Sequence, residues 1–155
     1  MAKTLAETIA ADLADYYLMV RQQAHRWVDG LSTEQIWQNP YGHGNSIGHL
    51  LLHITGNLNY YIGAQVAGTG YARDRDREFT EKRRSAKPDV LAAFDKAIDM
   101  VVATLRNQKP EDWLKSYSAE REPEATERFN IFLRCAGHAY HHVGQIIYLA
   151  RGLAE

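Results

Sequence analysis

Apolar residues recur at three- and four-residue intervals through four segments, and no segment alternates at period two, so the chain reads as all-α. The first segment runs from about Ala2 to Asp29, with Leu5, Ile9, Leu13, Tyr16, Tyr17, Val20, Ala24 and Trp27 on one side and Gly30 as its stop. In the connector from Leu31 to Gly44, Ser32 and Gln35 suit the capping of one helical turn, and Pro40 and Gly42 break it. The second helix begins at Asn45 or Ser46, carries Ile47, Leu50, Leu51, Ile54, Leu58, Tyr61 and Ile62, and ends near Gly68. Pro88 suits the first turn of the third, whose face is Val90, Leu91, Phe94, Ala97, Ile98, Val101, Val102 and Leu105. The fourth is expected from about Glu124 to Arg151, with Gly152 as its stop. Long connections, Thr69 to Lys87 and Asn107 to Pro123, flank the third helix, the latter with room for a turn after Pro110. The pattern predicts an antiparallel four-helix bundle, one domain over residues 1–155.

Composition narrows the class without naming a chemistry. Hydrophobic residues make up 45% and charged residues 24%, the balance of an ordinary soluble globular domain. A formal net charge of −1 supplies no basic field for nucleic acid or an anionic membrane. Cys135 is the single cysteine, which excludes an intramolecular disulfide and suits a reducing compartment. No apolar run is long enough to span a bilayer, and residues 1–9 lack the apolar core of a signal peptide. The expectation is a soluble, cytoplasmic protein.

The histidines change the picture. There are seven, and they include two pairs spaced four apart, His49/His53 and His138/His142, where chance placement gives about a third of one such pair. Residues four apart share a helical face one turn apart, so two imidazoles can converge on one ion. On the fourth helix Ile131, Cys135, His138, His142, Gln145 and Leu149 form a stripe beside Phe132, Ala136, Tyr140, Val143 and Ile147, which turns the two histidines into the bundle. On the second helix His53 shares an inward stripe with Ser46, His49, Asn57 and Tyr60. Burying several imidazoles is costly unless each finds a partner, and a shared cation is one. Three neutral imidazoles are a common protein share of a catalytic zinc site with an open position. Cys135 lies too far along its helix to be a fourth ligand, and reads as a small buried hydrophobe. His25 and His43 read as surface or loop residues, His141 as a rim residue or outer partner of a ligand. The run Arg73-Asp-Arg-Asp-Arg-Glu78 reads most simply as a solvated linker.

With His138-Ala-Tyr-His-His142-Val-Gly144-Gln145 in view, the chain resembles the DinB/YfiT-like superfamily of metal-binding four-helix bundles. Its fourth-helix signature is H-x-x-x-H followed by x-G-Q. Its second-helix signature, an apolar run ending in a histidine, matches Ile47-Gly-His-Leu-Leu-Leu-His53, and Arg73 to Phe79 looks like a motif of one uncharacterised branch. The resemblance covers Leu5 to Arg151. It implies His53, His138 and His142 as ligands of one divalent ion, zinc or nickel. His49 is a departure from many relatives, and either it or His53 fits as the third ligand, with His53 at the position where the family places its own.

Characterised members of the superfamily include thiol-dependent S-transferases and an isomerase that uses a low-molecular-weight thiol, while others are described as metal-dependent hydrolases. The resemblance therefore implies a metal-dependent enzyme whose ion activates a thiol cofactor or a water. Tyr60, Asn57, His49 and Gln145 are candidates to orient an unknown small-molecule substrate or the ligands. Glu78 is a candidate acid or base if the charged linker folds over the open position. The alternative is a non-catalytic, stress-related metal-binding bundle that acts through dimerisation, and a homodimer is expected in either case.

Overall fold

The structure, a computed structural model, describes residues 2–153. Helix α1 (Leu5–Val28) starts at a capping box. The Thr4 hydroxyl accepts from the Glu7 N–H, and the Glu7 carboxylate accepts from the Thr4 N–H. That box sets the start after Thr4, beyond the Ala2 expected from periodicity alone. Ser32 and Gln35 make the same exchange at α2 (Thr33–Ile36), as their spacing predicts. Ser46 caps α3 (Ile47–Leu58), which continues into a π-helical turn over Asn59–Ala64. Asp74 caps α4 (Arg75–Thr80), a short helix inside the charged run. Pro88 sits in the first turn of α5 (Lys87–Arg106), where a missing N–H costs nothing. A 3₁₀ turn at Pro110–Asp112 precedes α6 (Arg128–Leu153). Among the described residues the structure is all-helical apart from an isolated bridge between Ser116 and Glu127.

Helices α1 and α3 each pack against both α5 and α6, and α4 packs on α3. The core between them includes Tyr17, Phe94, Phe132, Leu51, Ile54, Leu58 and Ile98, all fully buried. Each such side chain contributes about 1.5–3 kcal/mol by leaving water. The Tyr17 hydroxyl donates to the Phe132 carbonyl at 2.7 Å, so the one polar atom it brings inside is paired.

Three details depart from the sequence pattern, each for a packing reason. The buried face of α1 is Ala14, Tyr17, Val20, Ala24 and Val28, while Leu5 is 76% exposed. Small alanines let neighbouring helices approach, and a pattern weighted to large side chains misplaces the stripe by part of a turn. On α6 likewise, Ala139 and Ile146 are buried whereas Tyr140 is exposed. Helix α6 begins at Arg128, not Glu124, because the chain first makes a turn in which the Ala125 N–H donates to the Glu122 carbonyl at 3.1 Å, and the Thr126 carbonyl then accepts from the Tyr117 N–H at 2.8 Å. Gly152 does not end α6. It lies within the helix, where an added Cβ would sit 2.6 Å from the Tyr41 hydroxyl oxygen, so its bareness lets the 39–45 loop pack against α6. No helix among the described residues is long and apolar enough to cross a membrane.

Candidate metal centre

His53 projects from the middle of α3 and is buried, while His138 and His142, one turn apart on α6, are half-buried at the edge of the core. The two α6 histidines do turn toward the bundle and meet His53, as their stripe predicts, but from an edge position that keeps one side of the cluster near solvent. The Nε2 atoms of His53 and His142 each lie 3.1 Å from Nε2 of His138. One ligand nitrogen from each residue falls within 4.8 Å of the others, and the cluster contains no carboxylate or thiol. A three-histidine cluster of this kind can hold a metal ion.

The outer nitrogens decide what the inner ones are. A carboxylate only accepts, so the 2.8 Å contact between His53 Nδ1 and Glu78 Oε2 places the His53 proton on Nδ1. The same holds for His142, whose Nδ1 donates to Gln145 Oε1 at 2.6 Å. Both residues therefore turn an Nε2 lone pair toward His138. His138 has one Nε2 to meet two lone pairs, and its Nδ1 is buried with no hydrogen-bond partner among the described residues. Hydrogen bonding inside the trio cannot satisfy all three rings. A cation accepts three lone pairs at once, and the donor set fits a first-row divalent ion.

Electrostatics point the same way. Burial, then the neighbouring His142 and His53, push the His138 pKa down to about 3. Burial also lowers the pKa of His142, against a smaller opposing effect of its hydrogen bond to Gln145. Both rings are thus neutral at physiological pH, the form that binds metals.

Behind His53 stands a buried ion pair. Arg73 Nε donates to Glu78 Oε1 at 2.7 Å and its Nη2 donates to Oε2 at 2.9 Å, a two-pronged contact. Burial raises the Glu78 pKa, but the hydrogen bonds from His53 and Arg73 outweigh it and hold the carboxyl below its ordinary range. The Arg73 guanidinium also lies over the Tyr61 ring, 5.5 Å from its centroid. Phe79 covers the His53 ring at 4.6 Å. A Cβ on Gly56 would collide with the Glu78 carboxylate, so this bare helical position makes the room Glu78 occupies. The charged run is thus not a solvated linker. Glu78 is 6% exposed, and α4 is docked on α3 by it. Glu78 lies on the Nδ1 side of His53, not on the side where the three Nε2 atoms meet.

The other residues singled out by sequence fall in several places. His49 is outside the cluster: its Nδ1 pairs with the Ser46 hydroxyl at 2.8 Å, its Nε2 with the Glu81 carbonyl at 3.2 Å, and its ring edges against Trp37. Of the two helix-α3 histidines, only His53 joins the cluster. Gln145 is exposed, holds His142, and lines a cavity of about 480 Å³ with Tyr41 and Tyr148. Tyr60 is half-buried against Tyr61 and lines a cavity of about 340 Å³ with Arg73 and Arg121. Asn57 is buried with its Oδ1 unpartnered among the described residues. His141 is exposed with its ring 5.1 Å from that of His142. His25 is half-buried and bonded to Asp95 at 2.8 Å, while His43 is in an exposed loop. Cys135 is a free, buried cysteine whose pKa burial raises, an inert packing residue. Sequence reasoning missed Arg73, Gly56 and Phe79. The available signal was a glycine inside an apolar helical stretch, which marks a close approach.

An all-helical chain with a three-histidine cluster that can hold a metal defines the class. The chain belongs to the family described as "Protein of unknown function (DUF1572)", whose profile matches residues 5–155. No curated protein matches it.

Proposed function

We propose that this protein is a metal-dependent enzyme with a DinB/YfiT-like, antiparallel four-helix bundle, in which His53, His138 and His142 hold one divalent ion, zinc or nickel. The observation that carries the reading is the meeting of three Nε2 atoms whose outer nitrogens are, for His53 and His142, tied to acceptors. Once bound, such an ion supplies Lewis acidity, lowering the pKa of a water or thiol toward neutrality. The chain's own residues do the rest. Glu78 and Gln145 keep the protons of His53 and His142 on Nδ1, and Phe79 shields the His53 ring from water. Three neutral donors leave the ion's charge uncompensated, which favours an anionic partner such as a thiolate or hydroxide.

Thiol chemistry is favoured over hydrolysis because both Glu78 oxygens are already engaged, so this carboxylate is not free as a general base. A second reading, a non-catalytic metal-binding bundle acting through dimerisation, draws on the same engagement of Glu78. The resemblance adds a cytoplasmic homodimer to the proposal, which light scattering checks. The discriminating experiment incubates metal-loaded protein with low-molecular-weight thiols and electrophiles, and separately with ester and amide substrates. Turnover lost in His53→Ala supports an enzyme; no turnover across the panel, with metal stably bound, favours the second reading.

A further inference from the structure

We infer that Glu78 is a positioning residue for the metal ligand His53, and that metal binding and the docking of α4 are therefore one coupled equilibrium. The inference rests on the three-histidine reading of the site. Helix α4 has six residues, too few to be stable alone. Two of its side chains end on one ligand, Glu78 on His53 Nδ1 and Phe79 on the His53 ring, while the Glu81 carbonyl at its C-terminal end meets His49. Arg73, just before α4, fixes the Glu78 carboxylate with both prongs, and its Nη2 comes within 3.5 Å of His53 Nδ1.

When α4 is docked, Glu78 holds the proton on His53 Nδ1, aims the ring, and makes Nε2 a stronger donor. When α4 lifts away, His53 regains a choice of tautomer and rotamer. The docked form therefore binds metal more tightly, and by linkage the metal stabilises the docked form by the same factor. The sequence supplies a reporter for this. Arg75, Arg77, Lys82, Arg83 and Arg84 are exposed basic residues in or just after α4, each a tryptic site.

Two variants separate position from charge. Glu78→Gln is nearly isosteric and removes the anionic acceptor. Gly56→Ala alters no charged group, yet its methyl occupies the space of the Glu78 carboxylate and pushes it off His53. Alanine is also the better helix former, so the change does not disfavour α3 itself. Arg77→Gln, at an exposed pair with Glu81, is the control.

The test titrates zinc into untagged full-length protein against a chromophoric chelator, and follows trypsin cleavage between residues 75 and 84 with and without stoichiometric zinc. Glu78→Gln and Gly56→Ala are expected to weaken zinc binding by about 10–100-fold, and Arg77→Gln by less than about twofold. Zinc is expected to slow cleavage of the wild-type segment by a factor that both variants largely lose. Wild-type-like zinc affinity in Glu78→Gln, or wild-type cleavage indifferent to bound zinc, overturns the inference while leaving the three-histidine site standing. The cleavage arm needs no variant, so a Gly56→Ala protein that fails to fold does not blunt it. A wild-type chain that takes up no zinc overturns the site and this inference together.

Discussion

Two histidines one helical turn apart are not unusual. What distinguishes His138 and His142 is that a third imidazole from another helix meets them while the outer nitrogens of His53 and His142 are tied to acceptors and the inner Nε2 atoms are turned toward one another. This makes a prediction for the metal-free protein. The folded pKa of His138 lies near 3, far below its ordinary 6.5, so below that ordinary value the unfolded chain binds a proton that the folded chain refuses. Stability contributed by keeping His138 neutral is complete above about pH 6.5 and is lost as pH falls toward about 3. Denaturant midpoints of chelator-treated protein should fall through that window, and His138→Asn should flatten the slope. An equal slope in both proteins would count against the buried, proton-refusing ring. The ligand trio was legible because spacing and stripe position are sequence properties. The role of Glu78 was not, since nothing in the run from Arg73 to Phe79 tells whether α4 docks or floats. Likewise His49 sits on the same face as His53, and its local contact with the N-cap Ser46 together with the tertiary contacts to Glu81 and Trp37 removes it.

At the level of elements, capping chemistry reads well and tertiary approach does not. The Ser32 and Ser46 starts and the Pro88 first turn follow from local hydrogen-bond needs, which the sequence states outright. The π-helical turn at Asn59–Ala64, the late start of α6 and the helical placement of Gly152 depend on what packs beside them. Gly48 is a further case. An added Cβ there would come within 2.5–2.8 Å of ring atoms of the buried Trp37. Displacing a packed ring costs about 1–3 kcal/mol, which exceeds or offsets the gain of about 1 kcal/mol from replacing glycine in a helix. Gly48→Ala should therefore lower stability by up to about 2 kcal/mol in urea unfolding, with zinc stoichiometry unchanged. A clear stabilisation would show that Trp37 has room to move and that the 2.5 Å approach is not a constraint.

Across the whole molecule, the cluster joins α3 to α6, and α4 backs it from outside, so a bound ion would tie three parts of the fold together. A ligand that binds only the native state at 100 times its dissociation constant adds about 2.7 kcal/mol. For a chain of this size that corresponds to about 5–10 °C in melting temperature. Chelation should lower Tm by that order, and re-addition of zinc should restore it. The all-helical class was legible from periodicity alone, because four apolar stripes need one another to be buried. The most direct test of the central claim is metal content by mass spectrometry on untagged protein, with His53→Ala and His49→Ala alongside. The account predicts one first-row divalent ion per chain, lost in His53→Ala and kept in His49→Ala. A chain that neither carries nor takes up metal, or a His53→Ala variant that keeps it, would contradict the account.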